Sequence, residues 1–480
     1  MGRTVKTGVL CLILFIALIL RLRGLTSPFL DDQAWRQCDT AGIALWMSGR
    51  LADFPAVFFP RLSYDGITPQ RVELEFPFLP YLTACTWALF GQADLWGRVW
   101  AILFSLWSVV GIYRLGSALF NERSGLWAAA IYAVIPLGVF YGRVMMPEAI
   151  AQAFTIWALD AAARWRARAY GRVWIPGLWL GLAVLSKLPQ LMIWPVGVCL
   201  VYFGLRQDKQ EAGYGNKEFY RRCLVTGVVY GLVSLGLPML YYSWVHVGSV
   251  QAGRFASGIL QGQVIHAQIP WLSFAKLTAH TLLYLSGVLL VTAFNGLARL
   301  IRAWTAQPRS ASALCLFSGL AVLYVGGVCL AIPLDYYLTP VLPLLALLAA
   351  HALEGMEIRV RTLTALILMG LLLLRLGTVE MSGKYAVQNA YQTQALWLRE
   401  HTARDAVLVL SAGEPMTFYY AQRTGFRLLD RDDAAAFAQL QQLPAQYFVK
   451  LPGDARTGQF WQEVGNRYPL AGPGVYRLEE

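Results

Sequence analysis

Three carboxylates and one guanidinium fall within the nine residues Asp31-Asp32-Gln33-Ala34-Trp35-Arg36-Gln37-Cys38-Asp39. The segment follows directly on an apolar run of membrane length, near residues 7–25. Ionisable groups gathered at a membrane boundary are costly, so they point to a site. A carboxylate there can act as a general base, and a guanidinium can meet a developing phosphate charge. The plainer reading is a solvated polar loop after a span. Further polar residues punctuate the chain in the same manner. Arg21 and Arg23 end the first run, and Glu73 and Glu75 precede a proline-led stretch at Pro77. Arg143 and Glu148 bracket Val144-Met145-Met146-Pro147, Lys187 sits in an apolar interruption, and Asp335 precedes Tyr336 and Tyr337. Each has a plain alternative. Arg143 fits an interfacial snorkelling residue, Pro147-Glu148 an ordinary helix start, Lys187 a loop residue, and the tyrosines an aromatic belt.

The solvent follows from composition. The chain is 57% hydrophobic and 14% charged, against about 25% charged in soluble domains. This composition predicts a polytopic membrane protein. The net charge of +12 does not form a basic stripe; basic residues punctuate apolar spans, which points to membrane orientation and away from nucleic acid. The seven Cys are scattered without metal-ligand spacing, so neither a disulfide framework nor a zinc site is expected. No Gly-x-x-x-x-Gly-Lys, Gly-x-Ser-x-Gly or His-Glu-x-x-His motif occurs, which argues against a nucleotide-driven motor, a serine hydrolase and a zinc protease.

Apolar stretches able to cross a bilayer, roughly 17–25 residues each, occur near 7–25, 98–116, 124–142, 147–163, 223–244, 277–301, 311–333, 336–355 and 362–379. The region 174–205 reads as two short spans around Lys187-Leu188-Pro189, giving eleven in all. The first is read as an uncleaved span, since no small-x-small cleavage site precedes Arg21. The short stretch 77–91, with Pro77 and Pro80, is decided by charge. If it does not cross, the inner connections and the N-terminus carry eighteen Lys and Arg, whereas the short outer connections carry four: Arg143, Lys187, Arg254 and Lys276. If it crosses, the bias reverses. The positive-inside rule therefore keeps 77–91 juxtamembrane or re-entrant, makes 26–97 one long outer segment, and puts the N-terminus inside and the C-terminus outside. Residues 33–48 are expected to form a helix lying on the membrane.

Residues 380–480 regain Asp, Glu, Arg, Gln and Gly. Helical pattern at 389–402 and 432–442 alternates with strand-like runs at 406–410, 446–450 and 475–478. A small extracytoplasmic α/β domain is expected, following a membrane domain over 1–379. No internal repeat of the transporter kind is present.

In this order the features resemble the GT-C membrane glycosyltransferases, in particular the branch of the protein O-mannosyltransferases and the lipid A aminoarabinose transferase. The resemblance covers roughly residues 8–350. It rests on the acidic pair Asp31-Asp32, on Glu75-Phe76-Pro77, on Arg98, on Arg143-Val144-Met145-Met146-Pro147-Glu148, on Gly181-Leu182-Ala183-Val184-Leu185-Ser186-Lys187, and on Tyr336-Tyr337-Leu338-Thr339-Pro340-Val341-Leu342-Pro343. Three positions depart from the pattern: Asp-Asp stands for Asp-Glu, Phe76 stands for a Lys, and Asp335 stands where a basic residue is common.

The resemblance implies a mostly helical GT-C bundle that moves a sugar, with inversion, from a polyprenyl-phosphate donor to an acceptor hydroxyl of a protein, lipid or glycan. Asp32 or Asp31 would be the base. Lys187 and Arg143, with Arg21 or Arg36, would meet the departing phosphate. Glu75 and Glu148 would orient sugar or acceptor, Tyr336 and Tyr337 would line the sugar pocket, and Asp39 would support its helix. No metal or other cofactor is required, although Asp31/Asp32 with Glu75 leave room for a divalent ion. Two rivals are a lipid-linked substrate transporter or flippase, and an oligosaccharide ligase using a pyrophosphate-linked donor. A transporter should place its charges at the midplane, whereas here they gather toward one end of the spans.

Overall fold

The computed structural model describes residues 2–166, 172–250, 275, 276, 278, 279, 285–329, 332 and 334–478. Arg254, and residues 277 and 280–284 of the expected 277–301 span, lie outside them. The chain is mostly helical and divides into two compact units. The first comprises Met1–Leu25, Arg98–Ser243 and Gly258–Ser382; the second comprises Thr26–Gly97, Trp244–Ser257 and Gly383–Glu480.

Among the described residues, six helices are long and apolar enough to cross a membrane: Thr4–Arg21, Asp94–Leu119, Leu188–Ala212, Asn216–Gly248, Pro308–Cys329 and Asp335–Glu354. This is a polytopic integral-membrane protein. The expected span 362–379 falls on the unbroken helix Ile358–Leu376, which carries Arg359, Arg361 and Arg375, while several other expected spans are shorter or broken, for local reasons. The stretch 124–142 is two helices, Glu122–Val134 and Pro136–Tyr141. Pro136 lacks a donor and pushes Ile135 to ψ 120°, so the first helix stops there. Asn121 starts that helix by accepting from the Ser124 N–H at 3.0 Å. The Lys187-Leu188-Pro189 interruption is a true break: helix Trp174–Ser186 ends, a 3₁₀ turn covers Leu188–Ile193, and helix Trp194–Ala212 begins. Lys187 itself is extended, with φ −163° and ψ 117°.

Helix packing in this unit relies on close approach. Where Gly287–Arg302 meets Leu342–Glu354, a Cβ at Gly296 would lie 1.9 Å from the Leu348 carbonyl oxygen. Small residues at such crossings let backbones touch when burial of apolar surface gives no drive to associate.

The second unit joins segments far apart in sequence. Its Thr26–Gly97 part holds the expected helix, Ala34–Ser48. It also holds an antiparallel ribbon of β1 (Arg61–Leu62) and β2 (Gln70–Arg71), and the helix Phe78–Phe90. That last helix has 13 residues, or about 20 Å of rise against a hydrocarbon core of about 30 Å.

The C-terminal part contains β3 (Val407–Leu410), β4 (Thr424–Arg427), β5 (Tyr447–Val449), β6 (Leu470–Gly472) and β7 (Val475–Arg477) in the order β4-β3-β5-β7-β6. β3 pairs in parallel with β4 and β5, and β7 runs antiparallel to β5 and β6. Val409, Phe448, Phe460 and Val464 centre its core, against helices Asp433–Gln442 and Gly458–Arg467. The expected strands and helices are present. The strand β4 was not expected, since Thr424-Gly425-Phe426-Arg427 has no alternating apolar pattern.

β4 also holds the segment 63–66. Gly66 donates its N–H to the Gly425 carbonyl at 3.0 Å, and Gly425 donates to Ser63 O at 3.2 Å. Arg427 Nη2 donates to Asp65 Oδ2 at 2.6 Å.

Gly296→Ala should force the two helices apart and lower stability by about 1–3 kcal/mol, the usual cost of overpacking. A fall in melting temperature in detergent checks this, and an unchanged melt would count against the close crossing.

Candidate functional site

In the first unit, four chain connections bring polar side chains into the apolar interior. Glu148 opens the helix Glu148–Arg164, where a carboxylate complements the helix dipole. It accepts from Lys187 Nζ, and both groups are largely removed from solvent, with side-chain exposures of 1% and 11%. The Lys187 ammonium also lies 4.3 Å from the ring centre of Tyr336 and 5.3 Å from that of Tyr337. Tyr336 and Tyr337 open the 3₁₀ segment Asp335–Val341 and lie 4.8 Å apart by ring centres. Asp335 Oδ1 accepts from the Tyr141 hydroxyl at 2.6 Å, and Tyr141 meets Tyr336 edge-on at 6.0 Å.

So Glu148, Lys187, Asp335, Tyr336 and Tyr337 converge, as one polar cluster joined by Tyr141. A buried ammonium held by one carboxylate and two aromatic faces is paired and aimed. Such a group can stabilise an oxyanion or phosphate.

The two other basic candidates of this unit are held by the protein. Arg143 is fully buried, donates to Gly24 O at 3.2 Å, and stacks over Phe140 at 5.0 Å. Arg21 is fully buried and donates to Ser105 Oγ at 2.7 Å, Ala17 O at 3.0 Å, Ala133 O at 2.9 Å and Gly138 O at 3.3 Å. Arg21 therefore braces the helix ends around Pro136.

Sequence reading passed over Gln152, one turn beyond Glu148 on the same helix. It is buried, and neither end of its amide has a partner. Glu148 Oε2 is likewise buried without a partner. Thr155, one turn further, donates to Gln190 Oε1 at 3.0 Å. Positions 148, 152 and 155 form one stripe of a helix, a signal that its otherwise apolar sequence carried.

In the second unit, the acidic segment is tied down residue by residue. Asp31 is buried and accepts from Gln37 Nε2 at 2.5 Å. The same amide donates to Asp32 O at 2.9 Å. Gln33, in the left-handed region with φ 59°, turns the chain into the helix behind these acids. Asp32 is paired with Lys384 and keeps 31% of its side chain exposed. Arg36 is paired with Glu75, and Glu73 meets His246 Nδ1 at 3.2 Å. Lys384 and His246 were not singled out by sequence.

Among the described residues, no three His, Cys, Asp or Glu side chains are gathered as metal ligands. Asp32 pairs with Lys384 and Glu75 with Arg36.

Asp39 differs from its neighbours. Burial pushes its carboxyl from the ordinary 3.8 up to about 6, against the pull of Arg36 and Arg427 and a hydrogen bond from Tyr64. Its Oδ1 is buried without a partner.

A family model described as dolichyl-phosphate-mannose-protein mannosyltransferase matches residues 75–211, well under half of the chain. No curated protein matches by sequence. Solved structures match over far more. ArnT from Cupriavidus metallidurans in the apo state aligns with a TM-score of 0.66 at 14% identity, covering 98% of this chain and 98% of that one. ArnT from the same organism bound to undecaprenyl phosphate aligns at 0.64 and 13%, again covering 98% of both chains. Archaeal oligosaccharyltransferase AglB from Archaeoglobus fulgidus, in complex with an inhibitory peptide and a dolichol-phosphate, aligns at 0.64 and 13%, covering 93% of this chain and 69% of that one. At these identities the likeness is one of fold.

The raised value of Asp39 has a measurable consequence. A carboxyl whose folded-state value lies above its unfolded one contributes fully to stability below pH 3.8, and that contribution is lost as pH rises through about 6. At roughly 1.4 kcal/mol per pH unit, the loss is on the order of 3 kcal/mol. Asp39→Asn does not titrate, so its melting temperature relative to the wild-type chain should rise between pH near 4 and near 7. A difference that stays constant over that range would refute the buried carboxyl as its source.

Proposed function

We propose that this chain is an integral-membrane glycosyltransferase. It moves a sugar from a polyprenyl-phosphate donor to an acceptor hydroxyl on the extracytoplasmic side, with inversion at the anomeric carbon. The observation that carries the reading is the Lys187–Glu148 pair, buried against Tyr336 and Tyr337 at a helix break. Support comes from the fold shared with ArnT bound to undecaprenyl phosphate and with AglB in complex with a dolichol-phosphate, and from the mannosyltransferase family model over 75–211.

In the proposed step the acceptor oxygen forms a bond to the anomeric carbon while the bond from that carbon to the phosphate oxygen breaks. The acceptor proton passes to Asp32, which keeps part of its side chain exposed; Asp31, held by Gln37, fixes the turn that presents it. The electron pair of the broken bond leaves on the polyprenyl phosphate, whose charge is met by Lys187, with Arg143 as a helper. Glu148 keeps Lys187 aimed, Tyr336 and Tyr337 give the sugar an aromatic wall, and Arg36 with Glu75 shapes the acceptor side. The phosphate is a good leaving group and no metal enters the step. The proposed frame has eleven spans, an inner N-terminus and an extracytoplasmic α/β domain over 380–480.

Radiolabelled transfer from a polyprenyl-phosphate sugar, measured on purified protein in detergent, tests the reading. Asp32→Asn and Lys187→Gln should each lower the rate by about 10²-fold or more, and Asp39→Asn far less. Full activity in Asp31→Asn/Asp32→Asn would remove this segment as the base. Absence of any covalent product with the wild-type chain would favour a transporter, and transfer only from a pyrophosphate-linked donor would favour a ligase.

A further inference from the structure

A second feature lies wholly within the second unit and plays no part in the step above. The end of the helix Ala34–Ser48, the β1–β2 ribbon and Trp244 enclose a cavity of about 480 Å³. Three guanidiniums line it, those of Arg50, Arg61 and Arg71, against a single carboxylate, Asp53. Arg50 and Arg61 lie over the Trp46 ring at 5.4 and 5.2 Å. Arg71 lies over Phe59 at 5.2 Å, and Phe59 meets Trp244 edge-on at 5.0 Å.

Like charges gathered in this way destabilise the protein unless an anion joins them. Arg61 carries the mark of it: burial, then the charges of Arg71 and Arg50, hold its guanidinium below the usual arginine value. Its Nε is buried with no hydrogen-bond partner among the described residues. Arginine is the side chain suited to planar, two-pronged contact with carboxylate or phosphate. Trp46 and Trp244 add flat apolar walls that suit the face of a ring. The volume is that of a small-molecule site.

We infer that this cavity binds a sugar residue bearing a phosphate or carboxylate, and that it serves as the subsite for an anionic acceptor glycan. The acceptor role rests on the proposed function; binding does not. The ring distinguishes this ligand from a bare anion, and the paired arginines distinguish it from a neutral sugar.

Calorimetric titration of the purified full chain with glucose 6-phosphate, glucose, inorganic phosphate and glycerol 3-phosphate tests it. Glucose 6-phosphate should bind about tenfold or more tighter than each of the other three. Arg61→Gln/Arg71→Gln should weaken it by about tenfold or more. Asp53→Asn, which removes only the opposing charge, should tighten it severalfold, a gain that misfolding cannot produce. Equal binding of phosphate or glycerol 3-phosphate would make this a plain anion or lipid-headgroup site and overturn the inference, as would binding indifferent to the arginine pair. The titration holds no donor. A chain that binds glucose 6-phosphate but transfers no sugar therefore refutes the proposed function alone, and one that transfers but does not bind refutes this inference alone.

Discussion

The cost of keeping charge away from water governs the interior of the first unit. An ammonium in apolar surroundings survives only if its partners are close and oriented. Lys187 has Glu148 on one side and two tyrosine faces on another. Meeting that need fixes the local backbone. Helix Trp174–Ser186 must end at Lys187, helix Glu148–Arg164 must begin at Glu148, and the Asp335–Val341 turn must bring both tyrosines in. Arg21 obeys the same constraint with a different result. Its donors go to carbonyls around the Pro136 break, so it compensates a backbone interruption.

The second unit is organised by contacts between distant parts of the chain. Carboxylates of the 26–97 segment are met one at a time: Asp32 by Lys384, Asp65 by Arg427, and Asp94 by the hydroxyls of Tyr419 and Tyr420 at 2.7 and 2.6 Å. Backbone bonds run alongside, from Asp32 N to Lys384 O and from Gln388 N to Leu30 O. Holding Asp31 and Asp32 in place is therefore a tertiary matter, with the left-handed Gln33 supplying only the local turn.

Much of this was legible in the sequence, for one reason. In a chain that is 57% hydrophobic, each charge at a short break between apolar runs stands out as a cost needing an explanation. That made Arg143, Glu148, Lys187 and Asp335 visible, and proline placed the breaks around them. Pairing was not legible. Lys187 and Glu148 are 39 positions apart, as are Arg36 and Glu75, and nothing local joins either pair. Lys384 and His246 escaped notice because polar residues are unremarkable at span ends and in soluble segments. β4 escaped because neighbouring strands, and not its own residues, make it a strand. Gln152 was readable in principle, as the middle of a polar stripe, but an uncharged amide raises less suspicion than a charge.

The position of Gly425 has a consequence for how such a chain can be cut and recombined. Its backbone serves two masters: it pairs with β3 inside the sheet and with Ser63 and Gly66 of the 26–97 segment. Residues 383–480 are thus no detachable appendage, although they have a core of their own. A chimera that exchanged them alone would inherit mismatched partners at Asp32, Asp65 and Asp94. The transferable module is discontinuous, and it consists of the 26–97 segment together with the C-terminal sheet.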